Sequence, residues 1–153
     1  MIDNQTGFLT EKNIVMDLDA DSRDDAIAQL ARVLEKNGNI SDATAFTQDV
    51  LAREAMTTTG IGNNIAIPHG KSSSVEHASL IFAKNRTPLE WNSLDGSKVQ
   101  IIFLMAVSSG DAGNEHLQML ARLSGKLMDD DFVAAIKHAQ TAQEVLDIFY
   151  AAD

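Results

Sequence analysis

The stretch that decides the fold is VQIIFLMAV, residues 99–107, in which Gln100 is the only polar residue. A strand that alternates apolar and polar side chains leaves one face to solvent, whereas a continuously apolar run of this length is typical of a central strand covered on both faces. We therefore predict a buried strand here, in a sheet that has helices packed on both of its sides.

Three shorter stretches are predicted to form further strands of the same sheet. They are residues 14–18 (IVMDL), 65–67 (IAI) and 78–83 (ASLIFA). The second of these ends abruptly at Pro68, because proline has a fixed φ and no N–H and forces the residue before it into extended geometry. Tight loops between adjacent strands predict that some of the pairing is antiparallel.

Five helices are predicted from capping residues followed by apolar residues at helical spacing. Their predicted starts are Ser22, Ser41, Asn114, Phe132 and Thr141. Ser22 and Asp25 have the spacing of a capping box, and so do Thr141 and Glu144. Strands and helices interleave, so the predicted fold class is α/β. Repeats, low-complexity tracts and Pro/Gly/Ser linkers are absent, which predicts a single domain over residues 1–153.

The charge of the chain excludes two classes of partner. It carries 12 Lys+Arg against 22 Asp+Glu, a formal net charge of −10. Affinity for nucleic acids and for anionic membranes comes largely from neutralising phosphates, which so acidic a chain cannot do without a local basic patch, and none is visible. The surplus of carboxylates serves either solubility alone or complementarity to a basic protein partner.

The compartment follows from what the sequence lacks. Cysteine is absent, which excludes a disulfide framework, a thiolate metal site and a cysteine nucleophile. The first residues, MIDNQTGFLTEKN, have neither the basic start nor the apolar core of a signal peptide. No stretch reaches the roughly 18 consecutive apolar residues that a membrane-spanning helix needs. We predict a soluble, cytoplasmic protein that neither inserts into a membrane nor binds nucleic acid.

Of the four histidines, His69 has the most informative setting. It follows Pro68, which presents the next side chain at the rim of the sheet, and it precedes Gly70, which lets backbone or a ligand approach without a Cβ in the way. The setting alone leaves two interpretations open: a binding or catalytic histidine, or a turn histidine that merely follows a strand. His77 and His138 lie in polar stretches and are predicted to have no catalytic function.

Two further side chains could bind an anion. His116 is in the first turn of a predicted helix, where the positive end of the helix dipole disfavours imidazolium and favours a neutral ring with one N–H donor. Arg53 is at the end of the second predicted helix, a position that the dipole alone explains. A guanidinium is also the side chain best suited to grip a phosphoryl group with two parallel hydrogen bonds. On these arguments each could equally be an ordinary polar residue of its helix.

A candidate anion-binding loop lies between the second helix and the strand that ends at Pro68. Residues 57–62, TTTGIG, supply hydroxyls and unhindered amides, with Thr59, Gly60 and Gly62 as the predicted phosphate-binding residues. The Gly-Lys-Ser/Thr of a nucleotide-binding P-loop is absent, as are HExxH, paired aspartates, His-x-His and Gly-x-Ser-x-Gly. We therefore predict neither a metal nor a cofactor.

Three segments together resemble a known family. They are REAMTTTGIGNNIAIPHGK, PLEW…DG…V…IFLMAV and EHLQMLARLS. They resemble the enzyme IIA domains of the fructose/mannitol class in the bacterial phosphoenolpyruvate-dependent sugar phosphotransferase system (PTS), a class that includes a nitrogen-regulatory branch. The similarity spans nearly the whole chain, and Gly-x-Gly-x-x-Ile-Ala-Ile-Pro-His-Gly is its specific signature.

The resemblance implies a fold, a site and partners. The implied fold is a mixed parallel and antiparallel sheet of about five strands sandwiched between helices. His69 would accept a phosphoryl group on Nε2, His116 would lie beside that group, and Arg53 would supply a cation. The implied donor is the phosphohistidine carrier HPr, and the implied acceptor is an enzyme IIB domain, through which alone the chain would associate with a membrane IIC permease. The scheme requires no cofactor.

Two other functions stay open. A nitrogen-type regulatory IIA protein would be phosphorylated on the same histidine but would act by binding other proteins, although NEHL at 114–117 resembles the sugar-specific branch more. A binding module would use the pocket for some anion without transferring it. The sugar and the oligomeric state are not readable, and Met1 with the chain length favours a free-standing polypeptide over part of a longer permease.

Overall fold

A computed structural model describes residues 9–110 and 115–151, with the backbone alone for residues 115 and 116. The strands are β1 (Ile14–Leu18), β2 (Gly60–Gly62), β3 (Ile65–Ala66), β4 (His69–Ser72), β5 (Ser79–Leu89) and β6 (Val99–Ser108). The helices are α1 (Arg23–Lys36), α2 (Ala43–Met56), α3 (Glu115–Leu127), α4 (Asp130–His138) and α5 (Ala142–Ala151), and a 3₁₀ turn (Glu11–Asn13) precedes β1.

The strands form one mixed sheet with β6 at its centre. The strand order is β1-β5-β6-β3-β2, and β4 pairs with β6 farther along that strand than β3 does. β1 runs parallel to β5, and both β3 and β4 run parallel to β6, whereas the β5–β6 and β2–β3 pairs are antiparallel. The predicted α/β class with a mixed sheet is confirmed.

The core lies on both faces of β6, as its apolar sequence predicts. Successive side chains of a strand point to opposite faces. Leu104 and Ala106 pack with the buried residues of α1 and α2, whereas Phe103 and Met105 pack with those of α3, α4 and α5. The sheet is therefore covered by two helices on one side and by three on the other.

Within the described residues the sheet has six strands where about five were expected, because β2 and β4 have no strand-like pattern. β2 is GIG and β4 is HGKS, and neither has the apolar run or the alternation that predicts a strand. β4 forms because the chain continues beside β6 after Pro68 and finds free backbone partners there, with its four residues in register with 105–108. Tertiary pairing overrides local preference at both places.

The predicted helix starts agree with the structure within a few residues. Ser22 Oγ accepts a hydrogen bond from Asp25 N–H, and Thr141 and Glu144 exchange backbone-to-side-chain hydrogen bonds in both directions. α2 is capped by Asp42, one residue after the expected Ser41. The carboxylate of Asp129 caps α4, whose first turn therefore begins before the expected residue 132. Asn114, the expected cap of α3, lies outside the described residues.

In the described part of the chain, no helix has the length and apolar character that a transmembrane span requires.

Candidate functional site

His69 lies where two short strands meet in line along β6. β3 ends at Ala66 and β4 begins at His69, and both pair with the same central strand. Between them the Pro68 carbonyl accepts a hydrogen bond from the N–H of Met105 at 3.0 Å, and Met105 is also the register partner of His69. The half-buried imidazole therefore projects from backbone that β6 holds on both sides.

The ring of His69 is oriented by the backbone next to it. Its Nδ1 lies 3.3 Å from the carbonyl oxygen of Ile67. A carbonyl oxygen can only accept, so this contact is a hydrogen bond only when Nδ1 carries the proton. In a neutral ring that leaves the lone pair on Nε2. The local geometry thus favours the tautomer in which Nε2 is the nucleophilic nitrogen.

Gly70 shows to which side of the sheet the imidazole points. A Cβ on Gly70 would lie 2.6 Å from Val50 Cγ2 and 3.3 Å from Phe46 Cε1, so this residue faces α2. Neighbouring residues of a strand point to opposite faces. His69 therefore faces the other side, where Met105 packs in the same apolar cluster as Met119 of α3.

Arg53 lies in the last turn of α2, one helical turn beyond Val50. The residue is half-buried, and its Nη1 donates a hydrogen bond to the carbonyl of Thr57 at 3.0 Å. The cation therefore binds a carbonyl at the C-terminal end of the helix, which the helix dipole favours. The Thr59 carbonyl, two residues further on, accepts from the N–H of Ile67 at 3.0 Å, which ties this loop to the chain that leads into His69.

A buried carboxylate, that of Glu54, organises the same loop. Its Oε2 accepts from the Thr59 N–H at 2.7 Å and from the indole N–H of Trp91 at 3.2 Å, and its Oε1 accepts from the Thr59 hydroxyl at 2.6 Å. Glu54 is only 4% exposed and Trp91 only 1%. The carboxylate thus satisfies three donors from two segments of the chain.

The predicted phosphate-binding loop is more structured than expected. The amide and hydroxyl of Thr59 are engaged with Glu54, and the amide of Gly60 donates to the Thr58 hydroxyl at 3.1 Å. The prediction that this stretch is an open loop with unhindered amides is therefore wrong for Thr59 and Gly60. Gly60 and Gly62 belong to β2. Position 60 has no room for a larger residue, because a Cβ there would lie 2.5 Å from Ser93 Oγ. Phosphate binding by Thr59, Gly60 and Gly62 stays a prediction.

The backbone of His116 lies in the first turn of α3, on the side of the sheet that His69 faces. The position of the His116 side chain lies outside the described part of the structure, so its place beside the phosphoryl group stays a prediction. Leu117, the next residue, is 52% exposed.

Three more exposed apolar side chains surround the loop. Met56 ends α2 and is 79% exposed, and Ile61 on β2 is 36% exposed. Leu94 is 73% exposed, and its N–H donates to the Gly60 carbonyl, which places it next to the same strand. An apolar rim of Met56, Ile61 and Leu94 therefore borders the segment that leads to His69.

The other two histidines lie elsewhere on the surface. His77 is exposed, and its backbone N–H donates to the Asn39 carbonyl. His138 is also exposed, and its ring Nδ1 lies 2.8 Å from the Ala134 carbonyl. Both contacts belong to turns and helix ends. Among the described residues no group of three or more His, Asp or Glu side chains is arranged to hold a metal ion.

Sequence reasoning missed Glu54 and Trp91. Glu54 follows Arg53 directly, and Trp91 is the only tryptophan of the chain, but nothing in the spacing of 54, 59 and 91 indicates that their polar atoms converge. The usable signal is weak: a glutamate in the last turn of a helix, followed closely by three threonines.

The chain matches one family model over nearly its whole length. That family is described as phosphoenolpyruvate-dependent sugar phosphotransferase system, EIIA 2, and the match covers residues 7–152. The chain is also 33% identical over 143 residues to the PTS fructose-specific EIIABC component of Bacillus subtilis, which covers 94% of this chain and 22% of that protein. It therefore spans only about a fifth of the length of that relative.

Two solved structures have the same fold. The nitrogen regulatory protein IIA-Ntr of Neisseria meningitidis superposes with a TM-score of 0.84 at 29% identity, covering 93% of this chain and 96% of the other. The mannitol enzyme IIA of Escherichia coli, solved as a complex with phosphorylated mannitol enzyme IIB, superposes with a TM-score of 0.79 at 23% identity over 94% and 97% of the two chains.

The family match places the protein in the class of enzyme IIA domains, and the two solved structures show the same fold. Within that class, it belongs to the EIIA 2 family of the phosphoenolpyruvate-dependent sugar phosphotransferase system.

Proposed function

We propose that this chain carries a phosphoryl group on Nε2 of His69, received from HPr and passed to an enzyme IIB domain. The observation that carries the proposal is the contact of Nδ1 with the Ile67 carbonyl, 3.3 Å away. That contact favours the proton on Nδ1 and the lone pair on Nε2, the form of the ring that can attack phosphorus without first losing a proton.

The transfer is an exchange of one P–N bond for another. Nε2 of His69 attacks phosphorus in line, the new P–Nε2 bond forms as the donor's P–N bond breaks, and the bond pair returns to the donor's imidazole. The proton on Nδ1 stays where the Ile67 carbonyl holds it, which stabilises the positive charge that the ring gains. Such transfers depend on positioning and on stabilising the equatorial oxygens, and no cofactor enters the scheme.

The proposed stabilising groups are Arg53 and His116. The loop of Thr59, Gly60 and Gly62 would add donors only if Thr59 and Gly60 exchanged the hydrogen bonds that they make within the loop. Arg53 supports this role by its place in the last turn of α2, beside the loop that Ile67 binds. Its guanidinium has donors beyond the one given to Thr57 and can direct them at a phosphoryl group. On a chain of net charge −10, a further anion is held only where such donors are gathered.

Partner proteins would dock on the apolar rim of Met56, Ile61 and Leu94. Exposed apolar side chains on the loop that is bonded to the segment before His69 suit a brief protein contact, with an interface on the order of 1,200 Å² or less. The E. coli mannitol enzyme IIA was solved in complex with phosphorylated IIB, which supports an enzyme IIB domain as the acceptor here. The reaction would take place in the cytoplasm, with a membrane IIC permease reached through IIB.

The test is transfer of label from phosphoenolpyruvate through enzyme I and HPr. The wild-type protein is expected to acquire an acid-labile, base-stable phosphoryl group, and His69→Ala is expected to acquire none. His138→Ala, an exposed histidine on a helix end, is the matched control and should be labelled normally. Normal labelling of His69→Ala contradicts the assignment, and no labelling of wild type supports an anion-binding module that transfers nothing.

A regulatory function of the nitrogen type is the second candidate. The match to the IIA-Ntr protein of Neisseria meningitidis, which covers 93% of this chain and 96% of the other, favours it. Both functions need the same phosphohistidine, so labelling alone does not separate them. Phosphorylated protein that passes its label to fructose-type or mannitol-type IIB domains supports the transport function, and retention of the label in the presence of those domains supports the regulatory one.

A further inference from the structure

We infer that Glu54 is a positioning residue for phosphoryl transfer at His69, an inference that rests on the proposed function. Glu54 does not need to touch the phosphoryl group. Its carboxylate fixes the loop that joins the end of α2 to β2, and that loop contacts both the segment before His69 and the guanidinium of Arg53.

The carboxylate is unusual in being buried with neutral donors. Glu54 is 4% exposed, and the two ion pairs seen among the described residues, Arg23–Asp24 and Arg86–Asp17, do not include it. Taking a carboxylate out of water costs free energy unless hydrogen bonds replace its hydration. The three donors of Thr59 and Trp91, two of them at 2.6–2.7 Å, supply that replacement. Charge-assisted bonds of this length are short and stiff.

One arm of the network runs to the nucleophile. Glu54 holds the amide and hydroxyl of Thr59, and the carbonyl of Thr59 accepts from the N–H of Ile67. The carbonyl of Ile67 in turn contacts Nδ1 of His69. The carboxylate is thus connected to the imidazole through Thr59 of the loop and Ile67, which lies between β3 and β4.

The other arm runs to the cation. Arg53 donates to the carbonyl of Thr57, which lies two residues before Thr59 in the loop that the carboxylate holds. A shift of this loop would therefore move the nucleophile and the guanidinium relative to each other. Misplacing reacting groups by about 1 Å can cost roughly 100-fold in rate. The carboxylate bonds Thr59 and Trp91 and, among the described hydrogen bonds, none of the rim residues, so the loss should appear mainly in kcat and less in KM.

The experiment measures kcat and KM for transfer from phospho-HPr to Glu54→Ala and Glu54→Gln. We expect Glu54→Ala to lower kcat roughly 100-fold with KM within about twofold of wild type. Glu54→Gln keeps one acceptor oxygen for the Thr59 amide, so it should restore part of the rate and lose only about tenfold. If Glu54→Ala does not fold, Glu54→Gln alone carries the test.

The control is Val145→Ala in α5, which removes apolar contacts from the cluster opposite α1 and α2 and leaves the hydrogen bonds of Glu54 intact. It should lower the melting temperature and leave kcat unchanged. The indole N–H resonance of Trp91 reports the hydrogen bond directly and should move upfield in both Glu54 variants. A folded Glu54 variant with wild-type kcat overturns the inference while leaving the phosphoryl carrier intact, whereas wild-type protein that is never labelled removes the proposed function itself.

Discussion

At the scale of single residues, Gly70 could be a glycine for either of two reasons: a ligand approaches it closely, or another part of the protein does. The sequence suggests that backbone or a ligand approaches Gly70. In the structure the approaching group is α2, since Val50 Cγ2 and the Val50 backbone nitrogen lie 2.6 and 3.3 Å from where a Cβ would be. The packing of α2 onto β4 therefore requires a glycine at this position. Because His69 is the adjacent residue of β4, the same packing helps to fix where its imidazole lies.

Replacing Gly70 by alanine should destabilise the protein. A methyl group placed 2.6 Å from Val50 Cγ2 forces the helix or the strand to move, and overpacking of this kind costs roughly 1–3 kcal/mol. Chemical denaturation of the variant measures the loss. Gly125→Ala is the matched control: that glycine is exposed in α3 with open space around it, so the change should stabilise by up to about 1 kcal/mol. Equal stability of Gly70→Ala and wild type would contradict the packing argument.

At this scale the sequence indicates His69 as the candidate nucleophile but gives no sign of the hydrogen bonds that hold the loop next to it. The position of His69 after Ile-Pro is readable because proline has a strong and local effect on the backbone. The role of Glu54 is not readable, because its partners Thr59 and Trp91 come together only when α2, β2 and the chain after β5 are packed. Hydrogen bonds between distant residues produce no recognisable spacing pattern in the sequence.

At the scale of elements, the β2–β3 hairpin depends on one exposed carboxylate. Asn63 and Asn64 connect the two strands with φ values of 56° and 68°, the left-handed geometry of a two-residue hairpin turn. Asp95 accepts hydrogen bonds from the amides of Ser97 and Asn63 at 2.9 and 3.1 Å. Hydrogen bonds from Ser97, and then from the Asn63 amide, lower the pKa of Asp95 below its ordinary value of 3.8.

Stability should therefore depend on the protonation of Asp95 at acid pH. A pKa that is lower in the folded state stabilises the protein above pH 3.8, and this contribution is lost as the pH falls through the folded-state value. Asp95→Asn should be less stable than wild type at neutral pH, with a difference that narrows below pH 3.8. Melting temperatures of both proteins across this range measure it. A difference that stays constant with pH would show that the charge of Asp95 has no part in holding the hairpin.

The elements themselves were predictable where their residues are apolar or capped. β1 and β6 were expected within one residue of their observed ends, and the Ser22 and Thr141 caps were expected as they are. β2 and β4 were not, since glycine and polar residues form strands there only because β3 and β6 offer them partners. The short elements that carry the site were therefore the least predictable.

At the scale of the whole molecule, the net charge of −10 should govern how fast a basic partner arrives. Electrostatic steering raises association rates about tenfold or more and weakens as salt shortens the screening length from about 10 Å at 0.1 M to 3 Å at 1 M. We expect kcat/KM for phosphoryl transfer from HPr to fall about tenfold over that range while kcat stays nearly constant. Stopped-flow transfer measurements at several salt concentrations test this. A kcat/KM that does not respond to salt would mean that the surplus carboxylates serve solubility alone.

The in-line arrangement of β3 and β4 on β6 has a consequence for the proposed phosphoryl transfer. Backbone held on both sides of Pro68 leaves little room to rearrange if, as proposed, His69 gains and loses a phosphoryl group. A donor protein and an acceptor protein would then meet a surface of the same shape. Only the bulk and the roughly two negative charges of the phosphoryl group would differ between the two states. Such a surface would not distinguish the donor from the acceptor by shape. The direction of transfer would then depend on the relative stability of the phosphoryl group on successive proteins of the relay.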